Sequence, residues 1–239
     1  MNTYPGEIED FDDLLEAFEW IREQGPVKAI SGGPHSVGTT LETLLNHPLD
    51  ADSASDFGFT EIKAQRDGTS SPTTLFTREP TYNDGWSMRR VLEVHGYEDG
   101  EGRTALKINL GTSENHGLSL NSEGGYLNLY SDLLGEEIGY WTEDTVSAGV
   151  EKISDICYIC AISSYDDDGD ETFYYYEFER YTLPEDFDAD SLIDLIDEGS
   201  VRVELRTHIR LDGTVRNYGT AFRAPNIHNI SAYEVEDLV

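Results

Sequence analysis

Apolar residues recur at helical spacing between residues 8 and 24, where Phe11, Leu14, Leu15, Phe18 and Ile21 share a face and Gly25-Pro26 closes the segment. That pattern predicts an amphipathic helix. A shorter helix is predicted at 39 to 46 from the stripe Leu41, Leu44 and Leu45. β-Branched and aromatic runs then predict strands near 58 to 64 and 73 to 77, a helix near 85 to 93, and strands near 104 to 109 and 126 to 130. In the second half a helix at 143 to 153 precedes strands at 156 to 163 and 172 to 180. Between those strands lies Asp166-Asp167-Asp168-Gly169-Asp170-Glu171, whose glycine and glutamate are out of place for a calcium loop, so it reads as a solvated hairpin tip. A helix at 188 to 198, with Leu192, Leu195 and Ile196 inward, leads to strands at 201 to 211 and 215 to 223. Asp212-Gly213 joins those two strands and is a strong hairpin signal. The order is mixed α/β, with no internal repeat and no low-complexity linker.

Within the first strand, Asp56-Phe57-Gly58-Phe59-Thr60-Glu61-Ile62-Lys63 spaces two carboxylates and a lysine as a metal-dependent phosphodiesterase needs them. Residues two apart on a strand share a face, so Glu61 and Lys63 point one way and Ile62 turns toward the core. Asp56 is an odd number of residues before Glu61, and Gly58 supplies the turn that swings it back beside Glu61. Two carboxylates so placed hold Mg²⁺, and Lys63 orients or helps deprotonate the attacking water. Taken alone the triplet is weak, because an acidic chain produces such spacings on solvated strands. Glu42, about 100° round the second helix from Leu41, stands at the edge of the buried stripe, where a carboxylate reaches a cleft.

The ordered blocks Val37-Gly38-Thr39-Thr40-Leu41-Glu42, Asp56 with Glu61-Ile62-Lys63, Leu75-Phe76-Thr77-Arg78-Glu79-Pro80 and Arg216-Asn217-Tyr218-Gly219-Thr220-Ala221-Phe222-Arg223 are far more specific. Together they resemble the MvaI/BcnI family of type II restriction endonucleases. The resemblance implies a PD-(D/E)XK restriction-endonuclease-like core, a central mixed sheet flanked by helices, with a recognition lobe forming a DNA cleft. It implies a single domain of 239 residues whose lobes are approximately 1 to 115, catalytic, and 116 to 239, mainly for DNA recognition. Carried over by position, Asp56, Glu61 and the backbone carbonyl of Ile62 are metal ligands, Lys63 serves the water, and Glu42 supports the metal. The implied cofactor is Mg²⁺, with Mn²⁺ able to substitute. The implied partner is double-stranded DNA, cut by a monomer that nicks each strand in turn at a short pseudo-palindrome of the CC-x-GG kind. A cognate DNA methyltransferase encoded nearby is implied as well. Two departures stand out: Ser55 occupies the usual proline position, and Tyr218 stands where base-contacting relatives carry a histidine.

Charge changes the picture further. The chain has 48 acidic and 16 basic residues, a formal charge of −32, and only four lysines, Lys28, Lys63, Lys107 and Lys152. Such a surface repels DNA in dilute buffer. Its composition predicts the high-salt cytoplasm of a halophilic prokaryote, where at about 1 M salt the screening length is near 3 Å and only short-range contacts count. The basic residues concentrate between Lys63 and Lys107 and between Arg202 and Arg223. A cleft lined by local arginines takes that form, and so do solvated strand faces. Candidate DNA contacts are His35, Arg66, Arg78, His208, Arg210, Arg216, Tyr218 and Arg223, the last five on a hairpin of the kind that fits a major groove.

Other chemistries find little support. Cys157 and Cys160 lie in an apolar run without a second ligand pair, as two core thiols of a reducing compartment do. The histidines lack the spacing of a zinc or Ser-His site. Neither a signal sequence nor a membrane span is expected. Two rival readings share these observations: a MutH-like nicking endonuclease of DNA repair, and a catalytically silent acidic protein that mimics DNA.

Overall fold

The computed structural model describes residues 2–47, 55–123 and 126–238. Helix α1 (Phe11–Glu23) and strand β1 (Val27–Lys28) precede α2 (Ser36–Leu44). Strands β2 (Glu61–Arg66), β3 (Thr73–Thr77) and β4 (Thr81–Tyr82) lead to α3 (Met88–His95). Then β5 (Tyr97–Glu98), β6 (Thr104–Leu110), β7 (Leu118–Glu123), β8 (Tyr126–Ser131) and β9 (Glu136–Trp141) run to α4 (Glu143–Ile153). Long strands β10 (Asp155–Tyr165) and β11 (Glu171–Thr182) follow, then α5 (Ala189–Asp197), β12 (Arg202–Ile209), β13 (Val215–Asn217), β14 (Ala221–Ala224) and β15 (Glu234–Asp237). Among the described residues no helix is long and apolar enough to cross a membrane.

These elements form two compact units that interleave along the chain. One comprises Met1–Ser71, Lys152–Glu185 and Ser231–Val239; the other comprises Pro72–Glu151 and Asp186–Ile230. A single division near residue 115 is therefore not where the units part. The reason is strand pairing: β10 returns to lie parallel to β2, and β15 returns to the far side of β11.

In the first unit the sheet order is β1-β11-β10-β2, with β15 also on β11, so among the described residues β2 has an unpaired edge. Its core joins Leu14, Phe18 and Ile21 of α1 to Val37, Leu41 and Leu44 of α2 and to Ile62, Cys157, Ile159, Phe173 and Phe178 of the sheet. The buried Tyr175 hydroxyl donates to the Val37 carbonyl at 2.7 Å, fixing the start of α2 against β11. Both cysteines are buried free thiols, and burial pushes each up to about 12, which leaves them unreactive.

The second unit holds two sheets, β3-β14-β12-β6-β5 with β13 on β12, and β4-β9-β8-β7. Phe76 and Phe222 stack at 4.4 Å between ring centres, and Trp141 meets Phe222 edge-on at 5.9 Å. The indole N–H of Trp141 donates to the Arg78 carbonyl at 2.9 Å, so this large buried ring leaves no polar group unmet.

Several elements differ from their sequence expectation for local reasons. The first helix begins at Phe11, not residue 8, because the Asp10 side chain accepts from Asp13 N and caps it. The third begins at Met88 under the Ser87 cap. Helix α2 starts three residues early, at Ser36, whose hydroxyl donates to the Gly33 carbonyl. The strand expected over 215 to 223 is broken into β13 and β14. At the break Gly219 has φ +84°, Asn217 Oδ1 accepts from its N–H, and a Cβ there would stand 2.4 Å from Thr77 Cγ2. Strands β1, β4, β5, β7, β9 and β15 carry no strong apolar alternation and are held by their partners.

Replacing Phe222 by Ala removes a ring from this stack, and the expected loss is about 3–5 kcal/mol of stability. A lowered urea midpoint at unchanged slope checks it; a midpoint within error of the parent chain contradicts the packing account.

Candidate active site and nucleic-acid face

Among the described residues strand β2 pairs with β10 on one side only, so alternate backbone groups of β2 face outward. The Ile62 N–H is one of them, and it donates to Asp56 Oδ2 at 2.8 Å. A tight turn makes this possible. Gly58 has φ +77°, its N–H donates to the Ser55 carbonyl, and Phe57 N–H donates to the Thr60 carbonyl. The chain therefore doubles back before β2 and lays the Asp56 carboxylate along the free edge. Because N–H and C=O of one strand residue face the same neighbour, the Ile62 carbonyl opens to that edge as well.

Glu61 and Lys63 share a face of β2, and Lys63 Nζ contacts Glu61 Oε1 at 2.5 Å. The other oxygen, Oε2, lies 3.3 Å from Nζ of Lys152, near the C-terminus of α4, yet has no hydrogen bond of good geometry. Glu61 is 4% exposed, so this carboxylate is held out of water between two ammonium groups. Glu42 is half-buried on α2. Burial first, and then the charge of Asp56, raise its carboxyl above the usual range, with Glu61 adding slightly; His47 and Lys63 oppose the rise. Asp56, Glu61 and Lys63 therefore lie within electrostatic reach of Glu42.

Sequence reasoning passed over two members of this neighbourhood. His47 has its ring nitrogen on the Asp56 carbonyl, its backbone N–H on the Glu42 carbonyl at 2.9 Å, and its ring 4.8 Å from Phe57. It links the two segments that carry the carboxylates. Lys152 was invisible because nothing in its local sequence marks it. The signal available was the scarcity of lysine: two of four sit on one carboxylate.

Among the described residues no three His, Cys, Asp or Glu side chains cluster closely enough to form a metal shell by themselves. The donor set here is two carboxylates and a backbone carbonyl, all oxygen. With the buried, poorly satisfied Glu61 Oε2, it fits a hard divalent cation that keeps several of its waters.

The other candidates fall in several places. His35 is exposed at the entry to α2. Arg66 is engaged structurally: it contacts both oxygens of Glu171, the Gly33 and Pro34 carbonyls and Ser36 Oγ, pinning the loop before α2. In the second unit the two separate blocks around Arg78 and Thr220 lie side by side. Arg78 N–H donates to the Thr220 carbonyl at 2.9 Å, and Glu79 Oε1 accepts from Thr220 N–H at 2.6 Å.

On the six-stranded sheet, Arg202, Glu204, Arg206 and His208 alternate onto one face of β12. Arg202 stands opposite Arg223, Arg206 opposite Lys107, and His208 opposite Arg216. Arg223 is partly neutralised by Glu204 at 2.6 Å. Arg216 lies 4.9 Å over the half-exposed Tyr218 ring, which is 5.8 Å from the His208 ring. Burial first, and then Arg103 and Lys107, hold the His208 imidazole below its ordinary range, with Arg210 adding to them. Arg206 and Lys107 thus extend the candidate set on this face.

No curated protein matches the chain. Solved structures do. The MvaI restriction endonuclease in complex with its cognate DNA substrate is 23% identical, with a TM-score of 0.79 over 99% of this chain and 100% of that one. The same enzyme in the absence of DNA is 23% identical, with a TM-score of 0.53 over 98% and 100%. The fold is accordingly that of the MvaI endonuclease. The model of the MvaI/BcnI restriction endonuclease family matches residues 15–230, and this chain belongs to that family.

Proposed function

We propose that this restriction endonuclease is a Mg²⁺-dependent, site-specific enzyme that cuts double-stranded DNA as a monomer, one strand after the other, with Mn²⁺ able to replace Mg²⁺. The observation that carries the reading is the gathering of Glu42, Asp56, Glu61 and Lys63 at the open edge of β2. Asp56, Glu61 and the Ile62 carbonyl are the residues that would hold the cation. Bound there, it would neutralise charge developing on the phosphorane-like transition state and the leaving 3′ oxygen.

The chain's own residues do the rest. The Ile62 N–H fixes the Asp56 carboxylate by a hydrogen bond that does not depend on substrate. Lys63 orients the attacking water and holds a proton close to it, while the Glu61 contact keeps its ammonium on the β2 face. Glu42, whose carboxyl takes up a proton more readily than usual, accepts hydrogen bonds from water near the cation. His47 keeps the Asp56 and Glu42 segments together.

DNA recognition falls to the second unit, on the face that carries Lys107, Arg202, Arg206, His208, Arg216 and Arg223, with Tyr218, Arg210 and Arg78 beside it. Like charges directly opposite one another on a sheet repel. Arg206 facing Lys107 is therefore a pairing that an incoming phosphate backbone relieves. His35, exposed at the entry to α2, is a further contact to the substrate. The −32 charge points to work at high salt, where the acidic surface is screened. A cytosine methyltransferase encoded nearby completes the reading.

Incubating the protein and plasmid with Mg²⁺ across a range of KCl tests the proposal. Linear DNA at discrete sites is expected, persisting into about 1 M KCl. Lys63→Ala should lower cutting by about 10²-fold or more while the circular dichroism spectrum stays unchanged; equal cutting sinks the assignment. Product that stops at nicked circles identifies a repair-type nickase instead. For the recognition face, Lys107→Ala should reduce the slope of log affinity against log salt by about one unit across unrelated sequences. An unaltered slope removes Lys107 from the interface.

A further inference from the structure

In resting protein the buried Glu61 carboxylate already has a cation on each oxygen, Lys63 on Oε1 and Lys152 on Oε2. The Lys63 contact is local, two residues along the same strand. The Lys152 contact is different in kind: the side chain comes from the end of another helix and is 13% exposed, against 5% for its carboxylate partner. Glu61 Oε2 has no hydrogen bond of good geometry, so the ammonium stands near it as a charge and not as a fitted donor. Burying a lysine is costly unless its charge is answered, and the Glu61 carboxylate 3.3 Å away answers it here. An ammonium beside the carboxylate proposed to ligate a divalent cation gives that oxygen an internal counter-ion.

We infer that Lys152 is a positioning residue that occupies Glu61 Oε2 until a divalent cation displaces it, and that it thereby sets the enzyme's affinity for that cation. The inference rests on the hydrolytic reading above. With Lys152 in place, Glu42, Asp56 and Glu61 are balanced by two ammonium groups; without it, the edge of β2 keeps three carboxylates and one. A neutral side chain at 152 should therefore let the cation bind more tightly while leaving Glu61 less firmly oriented for turnover. A residue that merely packs would weaken the fold and leave affinity unchanged or reduced.

The test uses the full-length protein and Mn²⁺, with free Mn²⁺ followed by electron paramagnetic resonance. Lys152→Gln should bind Mn²⁺ about fivefold more tightly or better, with slower cutting at saturating metal, and Lys152→Arg should restore the parent affinity to within about twofold. Unchanged or weaker binding by a folded Lys152→Gln overturns the inference, even if the parent protein binds Mn²⁺ and cuts DNA. A parent protein that binds no Mn²⁺ overturns the hydrolytic reading together with this one. Should the glutamine variant fail to fold, ¹⁵N-lysine labelling of the parent chain decides the matter, since only four side-chain signals need assignment. Addition of Ca²⁺ should then move the Lys152 Nζ resonance, and a resonance that stays put as Ca²⁺ saturates overturns the inference.

Discussion

The hydrogen bond from the Ile62 N–H to the Asp56 carboxylate organises everything chemical in this molecule. An unpaired strand edge is ordinarily a liability, since its open N–H and C=O groups invite pairing with another chain. Here the edge of β2 is closed by a side chain of its own approach loop, and the closure puts the carboxylate next to an open backbone carbonyl and next to Glu61. Edge protection and the placing of the candidate site are one event. The turn at Gly58 and the helix bearing Glu42 are arranged around that single contact, and His47 ties them together.

Electrostatics works on two scales. Globally the chain is strongly acidic, so attraction to DNA cannot come from net charge and has to come from groups in direct contact once salt has screened the remainder. Locally, cations cluster in two places: around Glu61, and across the six-stranded sheet where Arg206 faces Lys107 and Arg202 faces Arg223. The same residue types have separate tasks, some neutralising a buried acid and others left with incompletely answered charge.

Much of this was legible in the sequence. The D-x4-E-x-K spacing and Gly58 foretold the turn, because glycine's freedom at positive φ is a local property, while the sheet edge it meets is not. Helices with strong stripes, α1, α4 and α5, emerged near their expected bounds for the same reason. What escaped was non-local. Strands such as β7 and β9 lack alternation and exist through their neighbours. The interleaving of the two units depends on β10 pairing parallel to β2 across a long excursion. Arg66, a candidate for DNA, is engaged by Glu171 and by the loop before α2, partners that only the folded chain brings to it. His47 and Lys152 carried no pattern because their meaning lies in what they touch.

The parallel pairing of β2 with β10 also bears on when the nuclease comes into being. Glu61 and Lys63 are synthesised before Lys152 and the strand that supports them, which follow about ninety residues later, after the greater part of the second unit. Domains generally fold as their residues become available, and contacts between distant positions form late. A nascent chain therefore exposes the Asp56 and Glu61 carboxylates without the sheet that fixes them. A restriction endonuclease built this way lacks the neighbour of β2 until β10 has been made.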